Sequence, residues 1–289
     1  MQVTQKIDPV IELDSTAADL IEGIKLPPQP KIILSVNREI QKDEPSFQRI
    51  AEFVNQDAAL SAKVLKIVNS PLFGTRKEIS SIKLAVSRMG MKNFYCVVLS
   101  SCLRDSMGID DKTERLWQHT TLVAKLCESI AKKIRGGAPE KAYMVGLFHD
   151  AAIPIIANKY KAAFETLEKD AIHGSDINAF EEQTYGTQHA VMGYLLARSW
   201  GLPDDVAEAI QFHHTTDLSL FSNTASAQLG GILMLADHLS REVAEENEDT
   251  DFQDPAWNNI EDKVLSELAL DKDDMLDFRE LAQEFSNLA

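Results

Sequence analysis

Cysteine is scarce in this 289-residue chain. The three cysteines present, Cys96, Cys102 and Cys127, are odd in number, lack zinc-ligand spacing and lie in apolar helical stretches. That pattern predicts reduced, buried thiols rather than disulfides. Long hydrophobic runs are missing as well. The longest, such as Cys96 to Leu99, are far too short to cross a bilayer, and Met1 to Asp14 mixes Lys6, Asp8, Glu12 and Asp14 among its apolar residues, so no signal-peptide core is read there. A cytoplasmic protein is expected. Positive charge is in deficit: 29 basic residues stand against 45 acidic ones, a formal charge of −16. Such a surface repels phosphate backbones and anionic lipid, so neither nucleic acid nor membrane is expected as a partner. A small anionic ligand stays open, because a local cluster of cations or a bound metal overrides the global field at short range.

Strand-like alternation is also rare, and no internal repeat or low-complexity segment stands out. What is present is helical periodicity, which predicts an all-α fold. Leu26-Pro27-Pro28-Gln29-Pro30 is rigid and non-helical. Ser46 and Asp57 are placed to cap helices carrying Ile50, Phe53 and Val54, and then Leu60, Val64, Ile67 and Val68. Asn69-Ser70-Pro71 ends that run, and Gly90 divides the apolar stretch from Ile82 to Leu103 into two helices. Leu116, Val123, Leu126, Ile130 and Ile134 form one stripe on a long helix closed by Gly136-Gly137. Further helices are expected at Ala138 to Ile156, Phe180 to Trp200, Asp204 to Phe212 and Ala225 to Ala244. Glu242 to Asp254 holds seven acidic residues and no basic one, and is read as a solvated linker before C-terminal helices striped by Ile260, Val264 and Leu268 and by Leu276, Leu281 and Phe285.

Six of the seven histidines fall on expected helices or their ends: His119, His149, His189, His213, His214 and His238, with His173 in a loop beside Gly174. Any one of them is more often a hydrogen-bonded core or surface residue than a ligand. Their neighbours change that reading. His149-Asp150, placed on a helix after the apolar Met144 to Phe148 run, can reach one cavity with both side chains, which lie about 100° apart around the axis. His119 shares a buried stripe with Val123 and Leu126, where an unpaired imidazole is costly. Neutral imidazoles with the carboxylates of Asp150 and Asp237 suit manganese, iron or zinc. Gly186 and Gly193 do not make a glycine-rich phosphate loop and are read as helix-packing positions, and Asn69-Ser70 beside Phe73-Gly74 as a capped turn with an aromatic anchor.

The order His119, His149-Asp150, Asp237 resembles the HD superfamily of metal-dependent phosphohydrolases, and the added His189 and His213-His214 resemble the two-metal HD-GYP phosphodiesterases. More specifically, Leu26-Pro27-Pro28-Gln29-Pro30, Asp57-Ala58-Ala59-Leu60, Ala62-Lys63-Val64-Leu65, Val68-Asn69-Ser70-Pro71-Leu72-Phe73-Gly74 and Ile79-Ser80-Ser81-Ile82 resemble the HDOD domain, the HD-related output domain. Glu182, Tyr185-Gly186, His189, Gly193, Trp200-Gly201-Leu202-Pro203 and His213-His214 continue that pattern.

The resemblance implies a helical bundle over residues 18–242, with an N-terminal module at 18–107 and an HD-like core at 108–242. Residues 1–17 precede it, and 243–289 hold the acidic linker and C-terminal helices. It also implies a signalling or regulatory role, with a signalling protein or a small anionic ligand as partner. The metal ligands it implies are His119, His149, Asp150, His189, His213, His214 and Asp237, with His119, His149, Asp150 and Asp237 expected to converge on one cavity and His189, His213 and His214 nearby. Against active HD-GYP enzymes, Ala151-Ala152-Ile153 replaces the Ile-Gly-Lys run after the doublet, and the Gly-Tyr-Pro element is absent. The phosphate-contacting lysine is therefore missing, and Arg115, one turn before His119, is the nearest cation that the sequence offers a phosphate. Should the chain be a hydrolase, Asp150 would be its catalytic carboxylate.

Overall fold

A computed structural model of the chain describes residues 25–73, 77–108, 111–160, 177–247 and 254–288. Residues 1–17, His173 and the loop around it lie outside the described residues. The rigid Pro27-Pro28-Gln29-Pro30 segment leads into α1 (Lys31–Ile40). The Ser46 hydroxyl then accepts the Arg49 N–H at the start of α2 (Phe47–Asn55), and Asp57 accepts the Leu60 N–H at the start of α3 (Ala58–Val68). Each cap satisfies an amide that would otherwise lack a partner. Gly90, at φ +78°, separates α4 (Ile82–Met89) from α5 (Met91–Met107). A β-carbon is disfavoured in that conformation, so the break falls at glycine.

The second half is built on α6 (Asp111–Lys133) and α7 (Pro139–Phe148). These two helices meet backbone to backbone, since a β-carbon on Gly146 would lie 2.6 Å from the Ala124 Cα. After α7 come α8 (Ile153–Lys159), α9 (Ile177–Tyr185), α10 (His189–Ser199), α11 (Asp204–Gln211) and α12 (Thr224–Asn247). A single turn, α13 (Pro255–Asn258), precedes α14 (Glu261–Leu268) and α15 (Lys272–Ser286), which pack on α12. Among the described residues there is no strand, and the fold is all-α.

Four expectations from the sequence need correction. The helix read over Ala138 to Ile156 is two helices, α7 and α8, and the His149-Asp150 doublet lies in the turn between them. Pro154 has no N–H to return to Asp150, so a continuous helix cannot pass through the doublet. Phe180 to Trp200 is likewise divided, at Gly186, whose φ is +68°. The acidic stretch is also not a linker throughout. Glu242 to Asn247 continues α12, Glu242 pairs with Arg279 of α15 at 3.1 Å, and Asp254 is buried and caps α13. In α15, Leu281 and Phe285 pack against the core as expected, but Phe278 and Ala282 are its buried residues and Leu276 is 57% exposed.

One continuous hydrophobic core runs from Ile33 in α1 to Ala282 in α15. The Trp200 indole, fully buried, donates to the Pro27 carbonyl at 2.9 Å, and Gln29 donates to the Trp200 carbonyl. Ser100 of α5 meets the Tyr143 hydroxyl of α7 at 3.2 Å. The N-terminal helices are thus packed on the later ones by apolar burial and satisfied polar groups. Cys96, Cys102 and Cys127 are free and buried, and burial pushes the Cys102 thiol up to about 12. Among the described residues no helix is long and apolar enough to cross a membrane.

Candidate metal centre

Five elements deliver side chains to one place. His119 projects from α6, His149 caps the C-terminus of α7 with Asp150 beside it, and His189 opens α10. His213 and His214 follow α11, and Asp237 lies on α12. The break at Pro154 and the break at Gly186 are what turn the doublet and His189 inward. Gly193 lets α10 approach: a β-carbon there would lie 2.9 Å from Ile210 and 3.3 Å from the His149 carbonyl.

The imidazoles are oriented from behind. His149 Nδ1 is 2.8 Å from the Gly146 carbonyl and His213 Nδ1 is 2.7 Å from the Ile210 carbonyl, so both rings are fixed as Nδ1–H donors with Nε2 facing the cavity. His189 Nδ1 lies 2.7 Å from Glu181 Oε2, and His119 Nδ1 lies 3.2 Å from the Ser240 hydroxyl. Asp150 stands in the middle. Its Oδ2 is 3.1 Å from His149 Nε2 and 3.7 Å from His119 Nε2, and its Oδ1 is 3.5 Å from His189 Nε2 and 3.8 Å from His213 Nε2. Asp237 Oδ1 lies 3.1 Å from His119 Nε2 and 3.8 Å from that of His149. His189 Nε2 in turn is 3.3 Å from His213 Nε2 and 3.0 Å from His214 Nε2.

Two trios result, His119, His149 and Asp237 on one side and His189, His213 and His214 on the other, each compact enough to hold one ion. Donors bound about 2.0–2.2 Å from a single ion stand roughly 3.0–3.6 Å apart, close to the spacings here. Asp150 offers one oxygen to each trio. The buried His149 Nε2 has no hydrogen-bond partner of acceptable geometry, an orphaned donor atom aimed into the cluster. These residues therefore fit a divalent metal.

The electrostatics differ around the cluster. Burial disfavours the charged form of His149, but Asp150 and Asp237 outweigh it and raise its pKa to about 9. Burial also opposes charge on Asp150 and Asp237, yet His149 for the first and Arg241 for the second hold both carboxyls well below their usual range. His213 is driven down to about 3 by burial and by the neighbouring His189, and His214 falls well below its ordinary value by burial and His213. His189 is raised because Glu181 outweighs its burial.

All seven residues read as ligands from the sequence come together. His238 does not join them: its Nδ1 is 3.0 Å from Asp254, and its ring stacks on Trp257 at 4.6 Å. Arg115 is exposed on α6, whereas Arg241, not singled out in the sequence, puts a guanidinium nitrogen 3.1 Å from Asp237 Oδ2 and 3.1 Å from Asp254 Oδ2. Its signal was the Asp237–Arg241 spacing of four on one helix, which places the pair on one face. Glu181 carried no such signal. It is eight residues before His189, across a turn that periodicity did not reveal.

The fold and the cluster define a class: an all-helical protein with an HD-type histidine–aspartate centre. The HDOD domain model matches residues 26–216, and the chain belongs to the HDOD family. It is 28% identical over 206 residues to an uncharacterized protein of Treponema pallidum, a match covering 70% of this chain and 40% of that one. The chain spans less than half the length of the curated relatives it matches. Among solved structures, a candidate phosphohydrolase from Shewanella amazonensis SB2B superposes with a TM-score of 0.68 at 25% identity, covering 91% of this chain and 95% of that one. An HDOD domain protein of Geobacter sulfurreducens superposes with a TM-score of 0.64 at 22% identity, covering 94% and 97%.

Proposed function

We propose that this chain is a regulatory HDOD protein whose HD-type cluster binds divalent metal, manganese, iron or zinc, as a structural or sensing centre without efficient phosphodiester hydrolysis. A signalling protein is its partner, and the buried free thiols support a cytoplasmic setting. A metal bound by the two trios would supply Lewis acidity and a nucleophile at neutral pH. Among the described residues, the guanidinium placed beside the cluster is already held by carboxylates and not offered to a phosphate's developing charge.

The observation that carries the reading is the commitment of Arg241. Among the described residues its guanidinium stands beside the cluster, and Asp237 and Asp254 already hold it from two sides. Ile153, where active relatives carry lysine, is buried and apolar. The competing reading, a metal-dependent phosphohydrolase acting on a phosphate ester or nucleotide with Asp150 as catalytic carboxylate and Arg115 as phosphate contact, draws on the openness of His119, whose side chain is 24% exposed. It draws also on the similarity to the candidate phosphohydrolase from Shewanella.

The test loads the protein with manganese, iron or zinc and offers cyclic dinucleotides, nucleotides and a generic phosphodiester, beside an Asp150→Ala control. The expected result is bound metal with turnover far below the ordinary enzymatic range. Turnover of about 1 per second or faster, abolished in the control, would overturn the regulatory reading in favour of the hydrolase.

A further inference from the structure

A second cleft opens where the N-terminal helices meet the later ones, on the stretch of α6 beyond His119. It encloses about 320 Å³, at the lower end of the range for small-molecule sites. Phe73, Arg88 and Asn93 line it from the N-terminal helices, and Lys125, Glu128 and Lys132 from α6. Three cations against one carboxylate leave a net of two positive charges, in a chain whose formal charge is −16. The carboxylate is a brace rather than a competitor. Glu128 accepts from Lys125 at 2.8 Å and from Lys132 at 2.7 Å, and although burial opposes its charge, the two lysines keep it ionised.

The lysines are thereby held at the wall before any ligand arrives, so less side-chain entropy is lost on binding. Lys125 Nζ also sits 4.5 Å over the Phe73 ring. Arg88 is steadied by one N–H on the Lys77 carbonyl at 3.1 Å and brings a planar fork suited to phosphate oxygens. Met89, the Tyr143 ring and Phe73 add an apolar wall to the same cleft.

We infer that this seam cleft is a binding site for a small organic phosphate carrying a planar ring, of which a nucleoside 5′-monophosphate is a simple example. The dianion matches the net positive charge, and the ring matches the apolar wall. A ligand there touches both halves of the molecule at once. It also bears on α6 and α7, the helices that carry His119 and His149.

The test measures binding of adenosine, guanosine, cytidine and uridine 5′-monophosphates to metal-free protein by calorimetry, with inorganic phosphate and the parent nucleosides as controls. Arg88→Glu and Lys132→Glu are made at exposed positions, and their folding is checked by circular dichroism melting. At least one monophosphate is expected to bind at least tenfold more tightly than inorganic phosphate or its nucleoside. Each charge reversal should weaken it at least tenfold, and Asp150→Ala should leave it unchanged. No binding of any monophosphate would overturn the inference. So would binding that survives both reversals or disappears in Asp150→Ala, because the ligand would then sit elsewhere or at the metal centre. The metal-free protein and the Asp150→Ala arm separate this result from the fate of the metal-centre proposal.

Discussion

The two histidine trios share one aspartate and are otherwise supported in opposite ways. Around His119 and His149 the carboxylates of Asp150 and Asp237 are themselves donor atoms, and Arg241 stands behind them. Around His189, His213 and His214 the trio itself is all imidazole, and the supporting carboxylate, Glu181, stands behind it, accepting the His189 backbone N–H at 2.8 Å and lying 2.7 Å from its Nδ1. In the first trio His149 welcomes positive charge, whereas in the second His213 and His214 resist it and His189 accepts it only against Glu181. His149 is accordingly raised to about 9 while His213 is lowered to about 3. A protein can thus tune two adjoining ion sites differently by moving carboxylates between the donor position and the position behind it.

The largest consequence is for stability of the metal-free protein against pH. His149 has a folded pKa above its unfolded value, so its contribution is fully present below about pH 6.5 and is lost as pH rises through about 9. His213 and His214 have folded pKa values below the unfolded one, so their contribution is present above about pH 6.5 and is lost as pH falls, for His213 toward about 3. Stability should therefore peak near neutrality and decline by on the order of a few kcal/mol on either side, the alkaline limb from His149 and His189, the acid limb from His213 and His214. Urea unfolding of metal-free protein across pH 4 to 9, repeated on a His213→Asn, His214→Asn double variant, checks this. An acid limb as steep in that variant as in the parent would break the distinction between the trios.

A smaller effect separates the supports. Glu181→Gln keeps a hydrogen-bond acceptor for His189 Nδ1 but removes the charge behind it, and loss of such a partner typically costs about 10–100-fold in metal affinity. The loss should fall on the all-imidazole trio alone. Competition titration with a metallochromic chelator resolves the two classes of site, and equal weakening of both would contradict the assignment of Glu181 to one.

Much of the scaffold was legible in sequence because its signals are local. Ser46, Asp57 and Gly90 act within a turn of themselves, and each does so in the structure. The seven candidate ligands were likewise found by residue type and order. Their supports were not. Glu181 reaches His189 only because the chain reverses at Gly186, and Asp254 reaches Arg241 and His238 across residues read as a solvated acidic linker. Hydrophobic periodicity cannot report a charged residue that is buried by pairing. The doublet was misplaced for a related reason: the apolar run through Ile156 kept its helical period across Pro154, and the broken hydrogen bond outweighed it.

The central claim, that Asp150 joins two trios into one metal centre, is tested most directly by metal content. Protein purified without chelator or nickel resin, then saturated with manganese, iron or zinc, desalted and analysed by inductively coupled plasma mass spectrometry, should retain one ion for each trio. The Asp150→Ala variant, with unchanged helical content, should lose metal from both. A wild-type protein that retains none of the three metals, or an Asp150→Ala variant that retains as much as the parent, would contradict the account.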